Sequence, residues 1–390
     1  MASAAPPSQA GALALWPVYV AIFGAGVMMG TSIPIVPLAL EARGVDRLTI
    51  GLSGALWSVG LLVFGAYIPR WAERVGAVRL IWLALIGSAV IQLVQGFTLD
   101  LPVWAILILW SALRFVQGAA VGIPWLVTEI WINLVVEERH RARALAIYAT
   151  LIAGGLAAGP LVLQIVGVTG AAPFVACAAL TLAAGLPLLA ARGAPRIEPE
   201  AGGRMMDTVW IAPVAMLAAL AAGTGETVVF TFLPIYGVEI GVDAKEATLW
   251  QTAFVIGNLA LQLPIGWIAD RLPRLGVLLA CVLASALAAA ILPFVGASPW
   301  TMWPLLVIWG GIAFGIYTVG LTILGQRFAA GDMARANAAF VMIYTVGSLI
   351  GPPISGAAMD VFGGRGLGWS LAAAYALCAL AIVVMARRRG

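Results

Sequence analysis

Two charged residues stand alone in long apolar runs. Arg114 lies in SALRFVQGAAVG and Glu226 in AAGTGETVVFTFLP. A charge placed in hydrocarbon is costly unless it is paired or faces water, so each marks a functional position. An acid in a low-dielectric cavity can take up and release a proton, because desolvation disfavours its charged form. Counting about 1.5 Å per helical residue from the outer ends of their spans places both roughly 15 Å deep. At that common depth a pair between them is possible, and they are expected to face one another, or the same water, in at least one state. Gln117, three residues beyond Arg114, is a further candidate, as are Thr31, Asn258, Tyr317 and Tyr344. Polar residues in spanning helices more often bond a neighbouring helix than a ligand.

Other chemistries lack their residues. The only histidine, His140, sits in a basic loop, and Cys177, Cys281 and Cys378 fall inside apolar stretches with no C-x-x-C among them. A membrane-embedded enzyme would need His, Cys or paired acids on facing helices, so no catalytic residue, metal site or cofactor is expected. No Walker A phosphate loop is visible, which argues against ATP as the driving force. The basic residues are spread over many loops, so nucleic acid is not an expected partner.

The elements that must hold these residues are membrane helices. Of the 390 residues, 63% are hydrophobic and only 10% charged, far from the composition of soluble domains. About 20 apolar residues cross a bilayer as a helix. Spans are expected at 14–39, 49–69, 77–97, 103–132, 143–166 and 170–190, then at 208–237, 247–269, 275–295, 300–325, 337–358 and 366–386. The polar stretch ARGAPRIEPEAGGRMMD, 191–207, is the expected linker between a first bundle, 1–190, and a second, 208–390. The first residues lack a basic n-region, so no cleaved leader is expected. With both termini in the cytoplasm, only Arg43, Arg47, Lys245 and Arg365 fall outside and Arg114 within the membrane; the other basic residues are cytoplasmic, as the positive-inside rule prefers. Trp82, Trp104, Trp210, Trp250, Trp300 and Trp369 lie near span ends, where interfacial anchors sit.

The halves also repeat each other. Gly44-Val45-Asp46 matches Gly241-Val242-Asp243, and Glu73-Arg74 matches Asp270-Arg271, both at an offset of 197. Gly155-x-x-x-Gly159-Pro160 matches Gly347-x-x-x-Gly351-Pro352 at 192. Such order and spacing point to a six-plus-six duplication, the kind of internal repeat many transporter folds carry. Small residues four apart give a face for close helix contact, and each proline bends its helix, so these six residues are read as a packing face and hinge.

The stretch QLPIGWIADRLPR, with Gly266, Asp270, Arg271 and Arg274, resembles the cytoplasmic loop motif of the major facilitator superfamily. PRWAERVGAVR, with Glu73, Arg74 and Arg79, is a weaker first-half copy, and Pro69 and Pro273 replace glycines of the pattern. The resemblance implies a latch joining the cytoplasmic ends of the halves in the outward-facing state, with Glu129 as natural partner of Arg74 or Arg79. Arg114, Gln117 and Gly118 resemble the family's R-x-x-Q-G motif on span four, linked to proton coupling or to binding anionic groups. The Gly155 to Pro160 segment is a partial form of its antiporter-associated motif. Segments such as TEIWIN, GTGETVVFTFLPIY and MIYTVGSLIGPP are similar to the YcaD-like branch of bacterial members. In this superfamily helices one, four, seven and ten line the central cavity, which would place Arg114 and Glu226 there.

The expectation is an all-α membrane protein of twelve transmembrane helices in two pseudo-symmetric six-helix bundles. It would be a monomer in the bacterial inner membrane, moving a small organic solute by alternating access with proton coupling, efflux or exchange being favoured. A uniporter or importer of an anionic metabolite is the alternative, and a non-transporting assembly or delivery protein is the reading from another class.

Overall fold

In lipid every backbone polar group must find its partner within the protein, so a chain of this composition crosses as helices. The computed structural model describes residues 10–65, 67–191, 195, 209–328 and 332–387. The expected linker, 191–207, falls outside these except at residues 191 and 195, and so do the first nine residues, Arg388 and Arg389. Among the described residues, twelve helices are long and apolar enough to span a bilayer. In the first half they are α1 (Leu15–Glu41), α2 (Arg47–Gly65), α3 (Ala77–Phe97), α4 (Val103–Val135), α5 (Glu138–Val166) and α6 (Ala172–Ala190). In the second they are α7 (Pro213–Glu239), α8 (Ala244–Arg271), α9 (Arg274–Phe294), α10 (Pro299–Gly325), α11 (Arg335–Phe362) and α12 (Arg365–Arg387). They form two pseudo-symmetric six-helix bundles.

Several boundaries differ from the sequence expectation for physical reasons. The second span ends at Gly65, and Ile68–Val75 forms a separate short helix, started by Pro69 and closed at Gly76, whose φ is 89°. Helices α5 and α11 begin before, and α11 ends beyond, their apolar stretches, because an α-helix in water keeps its hydrogen bonds past the hydrocarbon edge. Trp104, Trp210 and Trp300 are exposed, as anchors would be, but Trp250 is buried against Tyr236, so its place is inside the bundle.

One close helix crossing recurs in both bundles. A Cβ on Gly159 of α5 would meet the backbone of Gly30 and Thr31 on α1, and one on Gly155 would meet the carbonyl of Phe23. Thr31 donates to the Val27 carbonyl at 2.8 Å and the Gly159 carbonyl at 3.2 Å, sealing the crossing. The second half repeats it between α7 and α11. A Cβ on Gly347 would meet the Leu220 carbonyl, and one on Gly223 the Tyr344 carbonyl. Thr224 donates to Gly347 O at 3.3 Å and Ser348 to Gly223 O at 3.2 Å. Gly118 of the span-four motif meets the Trp57 carbonyl in the same manner, so its small size serves the α2–α4 crossing.

Side chains added at such crossings must push backbone aside. Gly159→Val and Gly347→Val are each expected to cost about 1–3 kcal/mol, the usual cost of overpacking. Gly54→Ala, with open space beyond its Cα, should be close to neutral. Thermal unfolding in detergent measures this, and equal melting for all three would refute the packing account.

Candidate functional site

Glu226 sits on α7, 7% exposed, and its Oε2 accepts a 2.9 Å hydrogen bond from the Tyr344 hydroxyl on α11. The Tyr344 ring meets Tyr317 of α10 edge to face at 5.6 Å, and Tyr317 packs on Phe340 at 5.1 Å. A third phenol, Tyr375 of α12, packs its hydroxyl against Gly225, next in chain to the acid, and that hydroxyl has no hydrogen-bond partner. Three helices therefore bring phenols toward one carboxylate. Gly225 permits this, since any side chain there would overlap Tyr375. Tyr317 lies within electrostatic reach of both Glu226 and Glu129, one acid from each bundle.

Arg114 is on α4, half-buried, with its Nε buried and unpartnered. No carboxylate among the described residues lies within ion-pair distance of it, so in this structure Arg114 and Glu226 are not paired. Gln117 is buried, and Asn258 of α8 has its Oδ1 buried without a partner. Thr31 is committed to the α1–α5 crossing. The structure thus gathers Tyr344 and Tyr317 on Glu226 and leaves Arg114 and Asn258 with unmet bonding capacity. Among the described residues no cluster of His, Cys, Asp and Glu is placed to hold a metal.

The loops carrying most of the arginines define a basic face. There Glu73, Arg74 and Arg79 are exposed and make no ion pair among the described residues. Glu129 is half-buried beside Trp125, within electrostatic reach of Tyr148 and Tyr317, and does not bridge to Arg74 or Arg79. In the second copy of the loop, Arg274 donates to the Thr322 carbonyl at 3.1 Å and lies 3.8 Å from Asp270. Arg271 stacks on Trp267 at 3.7 Å, and Gly266 faces open space. No ion pair or hydrogen bond among the described residues joins the bundles at this face.

At the opposite face the bundles are clasped. The first backbone donors of α2, Arg47 N and Leu48 N, give hydrogen bonds of 2.9 and 2.8 Å to the two oxygens of Asp360 on α11. One bundle therefore caps a helix of the other. The Arg47 guanidinium bridges Glu41 at 3.0 Å and Glu239 of α7 at 2.8 Å, and donates to the Met359 carbonyl at 3.2 Å. Glu239 also accepts from Gly364 N at 2.6 Å. A second, smaller tie joins α5 to α8: Gln164 Nε2 donates to Lys245 O at 2.8 Å and Lys245 Nζ to Gln164 O at 3.1 Å. Deeper in, Thr252 donates to the Ala157 carbonyl at 2.7 Å. Sequence reasoning missed this clasp. Its signal was present, because Arg47 and Lys245 were among the few basic residues placed against the charge bias.

Two six-helix bundles, one holding a buried acid and the other an arginine without a carboxylate partner, define a polytopic membrane protein. The profile of the Major Facilitator Superfamily matches residues 18–212 and 215–390, and the chain belongs to that family. It is 24% identical over 347 residues to the uncharacterized MFS-type transporter YfkF of Bacillus subtilis (strain 168), covering 86% of each chain. It is 27% identical over 340 residues to the uncharacterized MFS-type transporter YcaD of Escherichia coli (strain K12 / DH10B), covering 84% of each. The fold matches the crystal structure of the nucleoside transporter NupG with TM-score 0.77 at 14% identity, over 95% of this chain and 98% of that one.

Removing the cap that crosses the bundles should loosen the closed face. Hydrogen bonds to charged groups contribute about 1.5–3 kcal/mol each, so Asp360→Ala, which removes two, is expected to shift the open-to-closed ratio at this face by at least about tenfold. Spin labels at the exposed ends of α2 and α11 would read this as a longer distance population, against little background because the three native cysteines are buried. An unchanged distance distribution would remove Asp360 from the clasp.

Proposed function

We propose that the chain is a proton-coupled secondary transporter that moves a small organic solute by alternating access, with export or exchange ahead of uptake. The observation that carries this reading is the buried Glu226 carboxylate, held by one phenol and ringed by others, opposite a bundle whose Arg114 has no acid of its own. Glu226 is the proton carrier. Its Tyr344 bond holds the acid in place in this state, and protonation changes what that bond and the neighbouring phenols can do. Arg114 meets the polar or anionic part of the solute, with Gln117 and Asn258 as further contacts.

With the basic face in the cytoplasm, as the charge bias favours, both described chain ends lie there and the clasp closes the outer side. On this reading the chain is a monomer in the bacterial plasma membrane and faces inward. Glu73, Arg74, Arg79, Glu129, Asp270, Arg271 and Arg274 would engage when the molecule swings outward. The crossings at Gly155, Gly159 and Pro160, and at Gly347, Gly351 and Pro352, keep each bundle rigid during that swing and supply its bends.

A second reading has its own support: the unpaired Arg114 also suits a uniporter or importer of an anionic metabolite. Proteoliposomes holding a pH-sensitive dye, challenged with solutes first selected by thermal shift on the purified protein, separate the two. Coupled transport predicts that Glu226→Gln abolishes solute-dependent proton movement while solute exchange persists. Arg114→Gln should weaken solute binding in either reading. If Glu226→Gln leaves the pH response intact, the proposed proton carrier is wrong.

A further inference from the structure

At the basic face, the feet of α7, α9, α10 and α12 line a half-open cavity of about 320 Å³, whose lining includes neither Glu226 nor its phenols. Arg274, the first residue of α9, and Arg327, just past the end of α10, both line it, together with Gln326, Pro213, Leu275 and Met385. Arg274 is anchored from one side, with Nη1 on the Thr322 carbonyl. Its Nη2 is 3.8 Å from Asp270, too long for a hydrogen bond, and Asp270 is 70% exposed. Arg327 is exposed and has no acid partner among the described residues. Arg387 follows directly on the lining residue Ala386, and Arg271 lies on the same loop as Arg274. The cavity therefore presents two guanidinium groups, with more arginines close by and a single weakly engaged carboxylate. The start of α9, which has no side-chain cap, adds the positive end of its helix dipole.

The level of the cavity matters as much as its charge. It is built from helix ends, and the neighbouring Trp267 and Leu272 are 57% exposed, as groups at the lipid interface are. Guanidinium groups bind phosphate oxygens through paired hydrogen bonds. We propose that this cavity binds a phosphate group, carried either by an anionic phospholipid headgroup or by free phosphate. The bound group bridges α9 and α10 and draws Arg274 away from Asp270, so occupancy bears on the same loop that carries Asp270 and Arg271.

The test uses the full chain purified in detergent. Native mass spectrometry would count retained phosphatidylglycerol on the wild type, on Arg274→Gln/Arg327→Gln and on Arg335→Gln, a basic-face control whose partner is Asp332. In parallel, thermal melting would be followed in inorganic phosphate against chloride at equal ionic strength. Retention of phosphatidylglycerol roughly tenfold lower in the double variant, with the control like wild type, supports the proposal with lipid as the source. A phosphate-specific rise in melting temperature that the double variant loses, without a difference in lipid retention, supports it with free phosphate as the source. Arg327→Gln alone makes the same comparison if the double variant does not fold, because the Arg327 side chain makes no bond among the described residues, and a several-fold loss is expected. Equal lipid retention and equal melting shifts in wild type and variants overturn it.

Discussion

Charge in a low-dielectric setting has to be answered by opposite charge or by oriented dipoles, and where this protein answers it decides how its halves lean. At the clasp, Arg47 is met by Glu41, Glu239 and a backbone carbonyl, while Asp360 takes two backbone donors from the start of the facing helix. The first turn of α2 has donors that no carbonyl within its own helix can reach. Supplying their acceptor from α11 makes the end of α2 complete only when the bundles touch. Part of a helix's own hydrogen bonding has become a contact between domains, which couples local order to the global state.

The rigidity that such a state needs comes from the α1–α5 and α7–α11 crossings. Backbone lies on backbone there, with Thr31 in one half and Thr224 and Ser348 in the other donating across the gap. Close contacts of this kind leave little room for sliding, because packed interiors rearrange between discrete arrangements and do not deform continuously. The α2–α11 seam is also close, with Gly51 against the Pro352 carbonyl and Gly356 against that of Arg47, but it and the α5–α8 seam join the two bundles to each other. The hydrogen bonds in those seams lie toward one face, so separating them there does not require either bundle to unpack.

Much of this was legible in the sequence. Apolar run lengths placed all twelve helices, and the matches at offsets of 192 and 197 exposed the duplication that the paired crossings express in three dimensions. Glu226 stood out as a lone acid in a spanning run, and Tyr344 and Tyr317 were among the polar residues singled out. Their convergence on that acid was not legible, because it depends on rotations of α7, α10 and α11 that no single helix encodes. Tyr375 and Gly225 were missed for a related reason: a phenol on an outer helix and a glycine on an inner one become informative only when their approach is known. The clasp was missed because Arg47, Glu41, Glu239 and Asp360 lie in four separate loops or helix ends. Each looks like an ordinary solvated charge until the bundles are assembled.

Arg114 shows why the midplane differs from the clasp. At the clasp every major charge has a partner within the chain; at the midplane the acid of one bundle is bound by its own bundle's phenol, and the arginine of the other is left without a carboxylate. An unanswered charge in the membrane is destabilising, and folded chains keep such violations of local consistency mainly where function requires them. Locked together, Arg114 and Glu226 would satisfy each other in every state. Kept apart, each retains bonding capacity, and Asn258, with its unpartnered Oδ1, adds a neutral acceptor in the same bundle as the acid.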